Sequence, residues 1–277
     1  MTADLHVHST FSDGSLSPKE LVDLSNKQGL KTIGLTDHDT VDGLKQGIKY
    51  GKKHDIEVIP GIEFSTFRNQ EEIHILGYYI DYEDQNLLAR VDEIYTARQE
   101  RGRKMVKLLR EQGIDLSLED VKETADDYLG RPHIARAMVK KGYITEMGEA
   151  FTEQYIGNGG QAYVPKYKME PEVAIKLISQ VGGIPVLAHP AFINHGSPLQ
   201  EEYISELQDQ GLQGLEVYHS KHDPETSNYY REVAHRLDLL ITGGSDFHGE
   251  NAPDIMLGDI TISEKKVEKL RQLGTKI

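Results

Sequence analysis

The sequence predicts an α/β fold, a β/α barrel interrupted once by a helical insertion. Short apolar segments alternate with amphipathic helical segments as far as residue 80 and again after residue 160. Such alternation is typical of a mainly parallel sheet covered by helices. The stretch between these two regions has only helical patterns. We therefore expect a barrel built from residues 1–80 and 161–277, with a helical insertion at residues 81–160.

The first part of the barrel opens with a predicted strand at residues 3–7. Ser17, Pro18 and Glu20 follow as an N-cap serine, a proline of the first turn and the glutamate of a capping box, so a helix should run to Gly29. The apolar pattern then predicts a strand at 32–35, a helix at 41–54, a strand at 57–65 and a strand at 72–79.

The apolar pattern also predicts the elements of the insertion and of the second part of the barrel. A long periodic segment through Arg110 predicts one helix, and shorter helices are expected at 118–126, 131–140 and 146–155. A glycine-rich return at 157–160 ends the insertion. The barrel then resumes with helix 171–181, strand 184–188, helix 199–210, strand 214–218, helix 224–236, strand 239–242 and a closing helix near 263–273.

Composition limits the possible classes of protein. The 277 residues are 38% hydrophobic, which is enough for a full core, and they include no cysteine, so any metal must be held by nitrogen and oxygen. The net charge of -14 argues against binding to long duplex nucleic acid or to anionic membranes. It leaves room for a phosphorylated substrate, because bound cations would reverse the local charge. Without an evident leader or apolar span, we expect a cytoplasmic protein.

Histidines and carboxylates recur at the ends of the predicted strands. His6 and His8 project from the same face of a strand, and Asp246 and His248 repeat that spacing after the last strong apolar strand. Each histidine taken singly is equally well explained as an ordinary loop residue, but their recurrence favours a metal site. The histidines and carboxylates at these positions are Asp4, His6, His8, Asp13, Asp37, His38, Asp39, Glu63, His74, His189, Asp246 and His248.

The order of these motifs resembles that of the polymerase and histidinol phosphatase (PHP) superfamily of metal-dependent phosphoesterases. The matching motifs are His6-x-His8, Asp13, Thr36-Asp37-His38-Asp39, Glu63, His74, Ala188-His189-Pro190 and Ser245-Asp246-Phe247-His248. The resemblance covers almost the whole chain and is closest to the branch that acts on nucleotide 3′,5′-bisphosphates, such as phosphoadenosine phosphate, and on short oligoribonucleotides. It implies a distorted TIM-like barrel of about seven β/α units and three divalent ions of manganese, iron or zinc.

The resemblance also implies how the ions are held. One ion would bind His6, His8, Glu63 and Asp246, a second Asp13, His38 and His248, and a third Glu63, His74 and His189. Glu63 would then bridge two ions. Asp13 stands where some relatives have histidine, which favours manganese or iron over zinc. Asp37 and Asp39 flank His38 and are expected to orient ligands or to cap the next helix.

Phosphoester hydrolysis is the reaction that suits this set best. Metal ions lower the pKa of bound water and stabilise the attacking and leaving oxygens, so we expect attack on a nucleotide phosphate ester by a metal-bridging hydroxide. His219 and His222 follow another predicted strand. They could orient ligands or act as the general acid, as could Asp37, and an ordinary loop position is an equally open alternative.

The insertion supplies candidate substrate residues. Arg98 and Arg101 lie on the helical face that should be buried, where a guanidinium needs an anionic partner. That partner is either an acidic residue of the barrel or a substrate phosphate, and the resemblance favours the phosphate for at least one of the two arginines. Arg131 and His133 open a helix, whose N-terminus attracts anions. Lys166, on the return to the barrel, is a weaker candidate for binding substrate phosphate. The insertion is expected to act as a substrate lid.

Several alternatives remain open. A 5′-3′ exoribonuclease on short RNA differs from a bisphosphate phosphatase only in the pocket beyond the reacting phosphate. A histidinol phosphatase ranks lower, because its substrate has one phosphate and a cationic remainder. A non-catalytic metal-binding scaffold would be expected to have lost ligands, and no ligand motif is missing. Amidohydrolase-type chemistry usually needs a bridging lysine, which has no evident counterpart at a strand end.

Overall fold

A computed structural model describes residues 2–69, 71–123, 129–192 and 199–274 of the chain. The chain divides into two compact units. The first, which we call the barrel unit, consists of Met1–Leu88 and Lys168–Ile277, and the second, the insertion unit, consists of Ala89–Tyr167. The sequence placed these divisions at 80/81 and 160/161.

The barrel unit contains one eight-stranded sheet. Its strands are β1 Thr2–Val7, β2 Thr32–Leu35, β3 Glu57–Arg68, β4 Glu71–Tyr78, β5 Ile184–Leu187, β6 Gly214–His219, β7 Leu240–Gly244 and β8 Ile262–Ser263. The strand order is β7-β6-β5-β4-β3-β2-β1-β8. Strand β4 runs antiparallel to both of its neighbours and β8 runs antiparallel to β1, while the other neighbouring pairs are parallel.

The two ends of this sheet meet just after β7. The backbone N–H groups of Asp246 and Phe247 donate to the carbonyl oxygen of His6 at 3.0 and 3.3 Å, and the His8 N–H donates to the carbonyl of Phe247 at 3.0 Å. These bonds nearly close the sheet into a barrel, so the predicted barrel class is confirmed. Closure also brings the first and last motifs of the chain side by side.

Ten α-helices lie along the described chain. They are α1 Pro18–Lys27, α2 Leu44–His54, α3 Gln85–Glu111, α4 Leu118–Lys122, α5 Arg131–Lys140, α6 Met147–Ala150, α7 Pro171–Gln180, α8 Glu201–Asp209, α9 Pro224–Arg236 and α10 Glu264–Gly274. The capping box predicted for α1 is present, with reciprocal bonds between Ser17 and Glu20. None of the helices in the described ranges combines the length and apolar character needed to cross a bilayer.

Some boundaries differ from the prediction for local reasons. Helix α2 begins at Leu44 rather than at residue 41, because Asp39 has a left-handed φ of 55° and its N–H donates to the Glu63 carbonyl. Helix α6 ends at Ala150 rather than at residue 155, and the backbone then turns so tightly that a Cβ on Gly157 would lie 2.3 Å from a carbonyl oxygen. The helix predicted at 118–126 ends at Lys122, and residues 124–126 lie outside the described residues.

Each unit has its own apolar core. The barrel core packs side chains from the sheet against α10, and its members include Leu5, Ile59, Leu76, Val186 and Val267. The core of the insertion unit gathers buried residues from α3, α4, α5 and the segments that follow them, including Met105, Leu109, Leu116, Ile134 and Ile156. The barrel core therefore fixes the strand ends, which carry the polar residues described next.

Candidate metal centre

The nine predicted metal ligands converge at the end of the barrel where the parallel strands finish. His6 and His8 come from the end of β1, His38 follows β2, and His189 follows β5. Asp246 and His248 follow β7, and Asp13 comes from the loop after β1. Glu63 lies in β3 beyond its parallel pairing with β2, and His74 lies in the neighbouring antiparallel strand β4. This is the face on which β/α barrels carry their active sites.

Glu63 is the centre of the cluster. Its side chain is fully buried, and its Oε2 lies 3.1 Å from His6 Nε2, 3.2 Å from His8 Nε2 and 3.3 Å from His38 Nδ1. Three imidazoles therefore face one carboxylate oxygen. No hydrophobic packing would assemble such a set, because each buried polar group costs free energy unless it finds a partner.

The other oxygen of Glu63 faces a second pair of imidazoles. Glu63 Oε1 lies 2.8 Å from His74 Nδ1 and 3.0 Å from His189 Nε2. The two oxygens of one carboxylate thus point into two separate groups of nitrogen atoms. A carboxylate in this position can bridge two cations.

Asp246 and Asp13 complete the cluster on either side of His8. Asp246 Oδ1 lies 3.4 Å from His6 Nε2 and 3.2 Å from His8 Nε2. Asp13 Oδ1 lies 3.2 Å from His248 Nε2 and 3.6 Å from His8 Nδ1. Asp246 holds a left-handed φ of 59°, and backbone strain of this kind in a non-glycine residue is concentrated at functional sites.

Within the part of the chain that the structure describes, three groups of ligand atoms lie close enough to share an ion. Within each group all the atoms are within 4.8 Å of one another, and the groups are His6, His8, Glu63 and Asp246; His8, Asp13, His38 and His248; and His38, Glu63 and His74. The first is the set implied by the family resemblance. The second adds His8, and the third contains His38 where His189 was expected. A neutral imidazole has only one lone pair, so His8 and His38 can each serve one ion.

The side chains fit divalent cations by two tests. Both ring nitrogens of His8, Nδ1 of His38 and Oδ1 of Asp13 are buried without a hydrogen-bond partner among the described residues, and such orphaned groups call for a bound ion or water. The contacts between His6, His8, Glu63 and Asp246 are 3.1–3.4 Å. Ligands bound at about 2.1 Å from a common ion lie roughly this far apart.

The pKa shifts within the cluster also favour bound cations. Burial would raise the pKa of Glu63, but the neighbouring imidazoles of His38 and His6 outweigh burial and hold it well below its usual range. Burial would lower the pKa of His8, but the adjacent carboxylates of Asp246 and Glu63 outweigh it and raise this pKa to about 10. Cations therefore compete with protons for these nitrogens, and metal binding should release protons.

Asp37 and Asp39 hold backbone around the cluster. Asp37 accepts hydrogen bonds of 2.7 Å from the Ser9 N–H, the Ser9 hydroxyl and the Ser12 hydroxyl. It thereby fixes the loop that leads to Asp13. The Asp39 carboxylate accepts from the Ser65 N–H at 3.0 Å, which ties this segment to β3.

His219 reaches the cluster, whereas His222 bonds to its own strand. His219 is buried, and its Nε2 lies 3.4 Å from Asp246 Oδ2. His222 Nδ1 donates to the Val217 carbonyl at 3.0 Å, and its ring centroid is 5.3 Å from that of His219.

Glu216 is the residue at this site that sequence reasoning missed. It is fully buried in β6, where its Oε1 accepts from His6 Nδ1 at 3.0 Å and its Oε2 accepts from the His189 N–H at 2.8 Å. The sequence signal that could have identified Glu216 is a carboxylate inside an otherwise apolar strand. Asp4 is similar: it is buried, it accepts from Ser245 N–H at 2.9 Å, and burial raises its pKa to about 6 against that bond.

Two of the arginines singled out in the insertion donate hydrogen bonds to groups of the insertion unit. Arg101 is buried and its Nε donates to the Val164 carbonyl at 2.7 Å. Arg131 Nη1 donates to Asn158 Oδ1 at 3.1 Å, and its guanidinium lies 5.6 Å from the Phe151 ring centroid. The remaining candidates of this unit, Arg98, His133 and Lys166, are half-buried.

Comparison with known proteins agrees with these motifs. The family model of the PHP domain matches residues 4–177. A 5′-3′ exoribonuclease of Haemophilus influenzae is 33% identical over 88% of this chain and 89% of its own length. A 3′,5′-nucleoside bisphosphate phosphatase of Chromobacterium violaceum is 32% identical over 91% of this chain and 90% of its own length.

Solved structures extend the likeness to the fold. A protein of Bifidobacterium adolescentis, provisionally assigned as a metal-dependent phosphoesterase, superposes with a TM-score of 0.87 at 28% identity and covers 98% of this chain and 96% of its own. A Chromobacterium violaceum protein described as an amidohydrolase, with bound sulfate and no metal, gives 0.82 at 30% identity over 99% and 97%. The motifs, the barrel and these matches together lead to one conclusion: the chain belongs to the PHP domain family.

Proposed function

We propose that this protein is a metal-dependent phosphoesterase that hydrolyses a phosphate ester of a nucleotide, with nucleotide 3′,5′-bisphosphates as its substrate class. The observation that carries the proposal is the Glu63 carboxylate, which meets five imidazoles through its two oxygens. The phosphoesterase relatives, one of which is named for nucleoside bisphosphates, support the same reaction. A scaffold without activity would have no need to keep every one of these ligands.

The geometry supports an assignment of ligands that uses each imidazole once. His8 Nε2 lies nearer to the carboxylates of Glu63 and Asp246 than its Nδ1 lies to Asp13, so His8 joins the first ion with His6. A second ion would then be held by Asp13, His38 and His248. A third would be held by His74 and His189 with Glu63, whose two oxygens face the first and third groups of nitrogen atoms.

The bound cations supply Lewis acidity and lower the pKa of bound water. The exposed fractions of the ligand side chains indicate from which side the substrate approaches. The side chains of His6, His8 and Glu63 are fully enclosed, while that of Asp13 is 40% exposed and those of His38, His74 and His248 are 14–18% exposed. The open side of the centre is therefore the one formed by Asp13 and its neighbours, and we propose that the phosphate ester enters there.

Substrate choice within this reaction is a separate proposal. We propose that cationic residues of the insertion unit, with Arg131 first, favour substrates that carry a second phosphate. A guanidinium offers paired N–H donors that match phosphate oxygens. Arg98, Arg101, His133 and Lys166 are the further candidates for this role.

A second candidate function is 5′-3′ exoribonuclease activity on short RNA, favoured by the likeness to the exoribonuclease of Haemophilus influenzae. A panel assay with manganese separates the two candidates. Its substrates are phosphoadenosine phosphate, a 5′-mononucleotide, histidinol phosphate and a 5′-phosphorylated short RNA. We expect the fastest turnover on the bisphosphate, with release of inorganic phosphate. Release of mononucleotides from the RNA as the faster reaction would favour the exoribonuclease, and turnover of histidinol phosphate alone would overturn both.

A further inference from the structure

Strand β6 contributes two buried polar side chains and none of the nine predicted ligands. Glu216 and His219 are 0% and 1% exposed. Residues three apart on a regular strand face opposite sides of a sheet. Here the pairing of β6 with β7 shifts register between Glu216 and Tyr218, and such an irregularity re-aims the side chains that follow it. As a result, both Glu216 and His219 contact the metal centre.

Glu216 sits behind His6. The His6 ring points Nε2 at Glu63 and Asp246, at 3.1 and 3.4 Å, and points Nδ1 at Glu216 at 3.0 Å. A carboxylate can only accept, so this contact keeps a proton on Nδ1, and His6 would then bind a cation through the lone pair of Nε2. The second oxygen of Glu216 accepts from the backbone N–H of His189 at 2.8 Å. One side chain thus supports a ligand of the first ion and the backbone of a ligand of the third.

His219 sits behind Asp246 in the same way. The backbone N–H of Lys221 donates to His219 Nδ1 at 3.2 Å, so the imidazole proton is on Nε2. That proton points at Asp246 Oδ2, at 3.4 Å. The other oxygen of Asp246 is the one that faces His6 and His8.

We propose that Glu216 and His219 are positioning residues: Glu216 holds His6 in the tautomer that binds a cation through Nε2, and His219 turns Asp246 so that Oδ1 faces that cation. This inference rests on the proposed metal-dependent function. Groups that hydrogen-bond to metal ligands in this way fix the orientation of the ligands and raise metal affinity.

The variant Glu216→Gln tests the first contact. A glutamine keeps the size of the side chain but offers only one acceptor oxygen. The backbone N–H of His189 cannot accept, so it takes that oxygen, and the amide NH₂ then faces His6 Nδ1. The His6 proton must move to Nε2, which removes the lone pair meant for the cation. Manganese affinity, measured by competition with a chelator, should fall about 10- to 100-fold.

Nitrogen NMR of histidine-labelled protein loaded with zinc, a diamagnetic ion, shows which His6 nitrogen carries the proton and which binds the cation. We expect the proton on Nδ1 and the cation on Nε2 in the wild type, and loss of this pattern in Glu216→Gln. The control is Glu57→Gln, the same change in a β3 glutamate that binds Arg271 instead of a histidine; this variant should keep both the tautomer and the affinity. An unchanged His6 tautomer in Glu216→Gln would overturn the role of Glu216.

A second pair of variants tests His219 even if Glu216→Gln fails to fold. His219→Ala removes the donor to Asp246, whereas His219→Gln places an amide N–H near the position of Nε2. Manganese affinity should fall in the alanine variant and recover in the glutamine variant, while equal affinities in the two would overturn the role of His219. If the wild-type protein binds no manganese, the proposed function fails as well; if it binds normally and these variants do too, only the inference fails.

Discussion

The candidate metal centre of the barrel unit and the arginines of the insertion unit both place charged groups in buried or half-buried positions, yet these groups contact different kinds of partner. In the centre, carboxylates and imidazoles face one another, and buried atoms such as His38 Nδ1 lack a hydrogen-bond partner among the described residues. In the insertion unit, Arg101 and Arg131 donate to oxygens of their own unit. Carboxylates and imidazoles that converge at ligand spacing point to a bound ion, whereas guanidinium groups that donate within their own unit fit structural support as well as binding.

The largest effect is expected at the middle of the centre. Glu63→Gln removes the charge of the carboxylate that faces both sets of imidazoles, so the ions that we propose it bridges should be lost. We expect phosphatase kcat/KM to fall by more than about 10³-fold, because cations contribute several kcal/mol of transition-state stabilisation. Metal content by mass spectrometry should fall in parallel. Glu57→Gln is the matched control and should keep both; full activity in Glu63→Gln would refute the assigned centre.

The next largest effect is expected in the insertion unit. Arg131→Ala should raise KM for a 3′,5′-bisphosphate about tenfold, the loss of roughly one charge-assisted hydrogen bond. KM for a simple monophosphate ester should change little. Steady-state kinetics on both substrates check the difference. If both KM values rise equally, Arg131 serves the fold of its unit, through Asn158 and Phe151, and has no role in substrate choice.

A smaller effect than that of Arg131→Ala is expected on metal preference. Asp13→His exchanges a carboxylate at the open side of the centre for an imidazole, a ligand better suited to zinc. We expect a several-fold shift in relative affinity from manganese towards zinc, measured by competition between the two ions. An unchanged ratio would show that Asp13 does not set the metal preference.

The smallest effect should come from Glu72, whose Oε1 lies 3.3 Å from His74 Nε2. This contact resembles that of Glu216 with His6, but the Glu72 side chain is 37% exposed. Exposed pairs contribute only about 0.2–1 kcal/mol, so Glu72→Gln should weaken manganese binding by less than about fivefold. A loss as large as that of Glu216→Gln would show that burial does not set the strength of these contacts.

Much of this molecule could be predicted from local sequence signals. The capping box at Ser17 and the paired spacing of His6 and His8 depend on neighbouring residues alone. Strand β8 was missed because two residues carry no periodicity. Glu216 was missed because its role depends on contacts with His6 and with the His189 N–H, which are distant in the sequence and which no spacing rule encodes. The partner of Arg101 could not be predicted, since a backbone carbonyl leaves no mark in the sequence.

Anomalous diffraction from crystals grown with manganese tests the central claim most directly. We predict one peak within about 2.0–2.2 Å of each oxygen of Glu63, the first shared with His6, His8 and Asp246 and the other with His74 and His189. A further peak should lie among Asp13, His38 and His248. Crystals with no peak at coordinating distance from Glu63 would contradict the account.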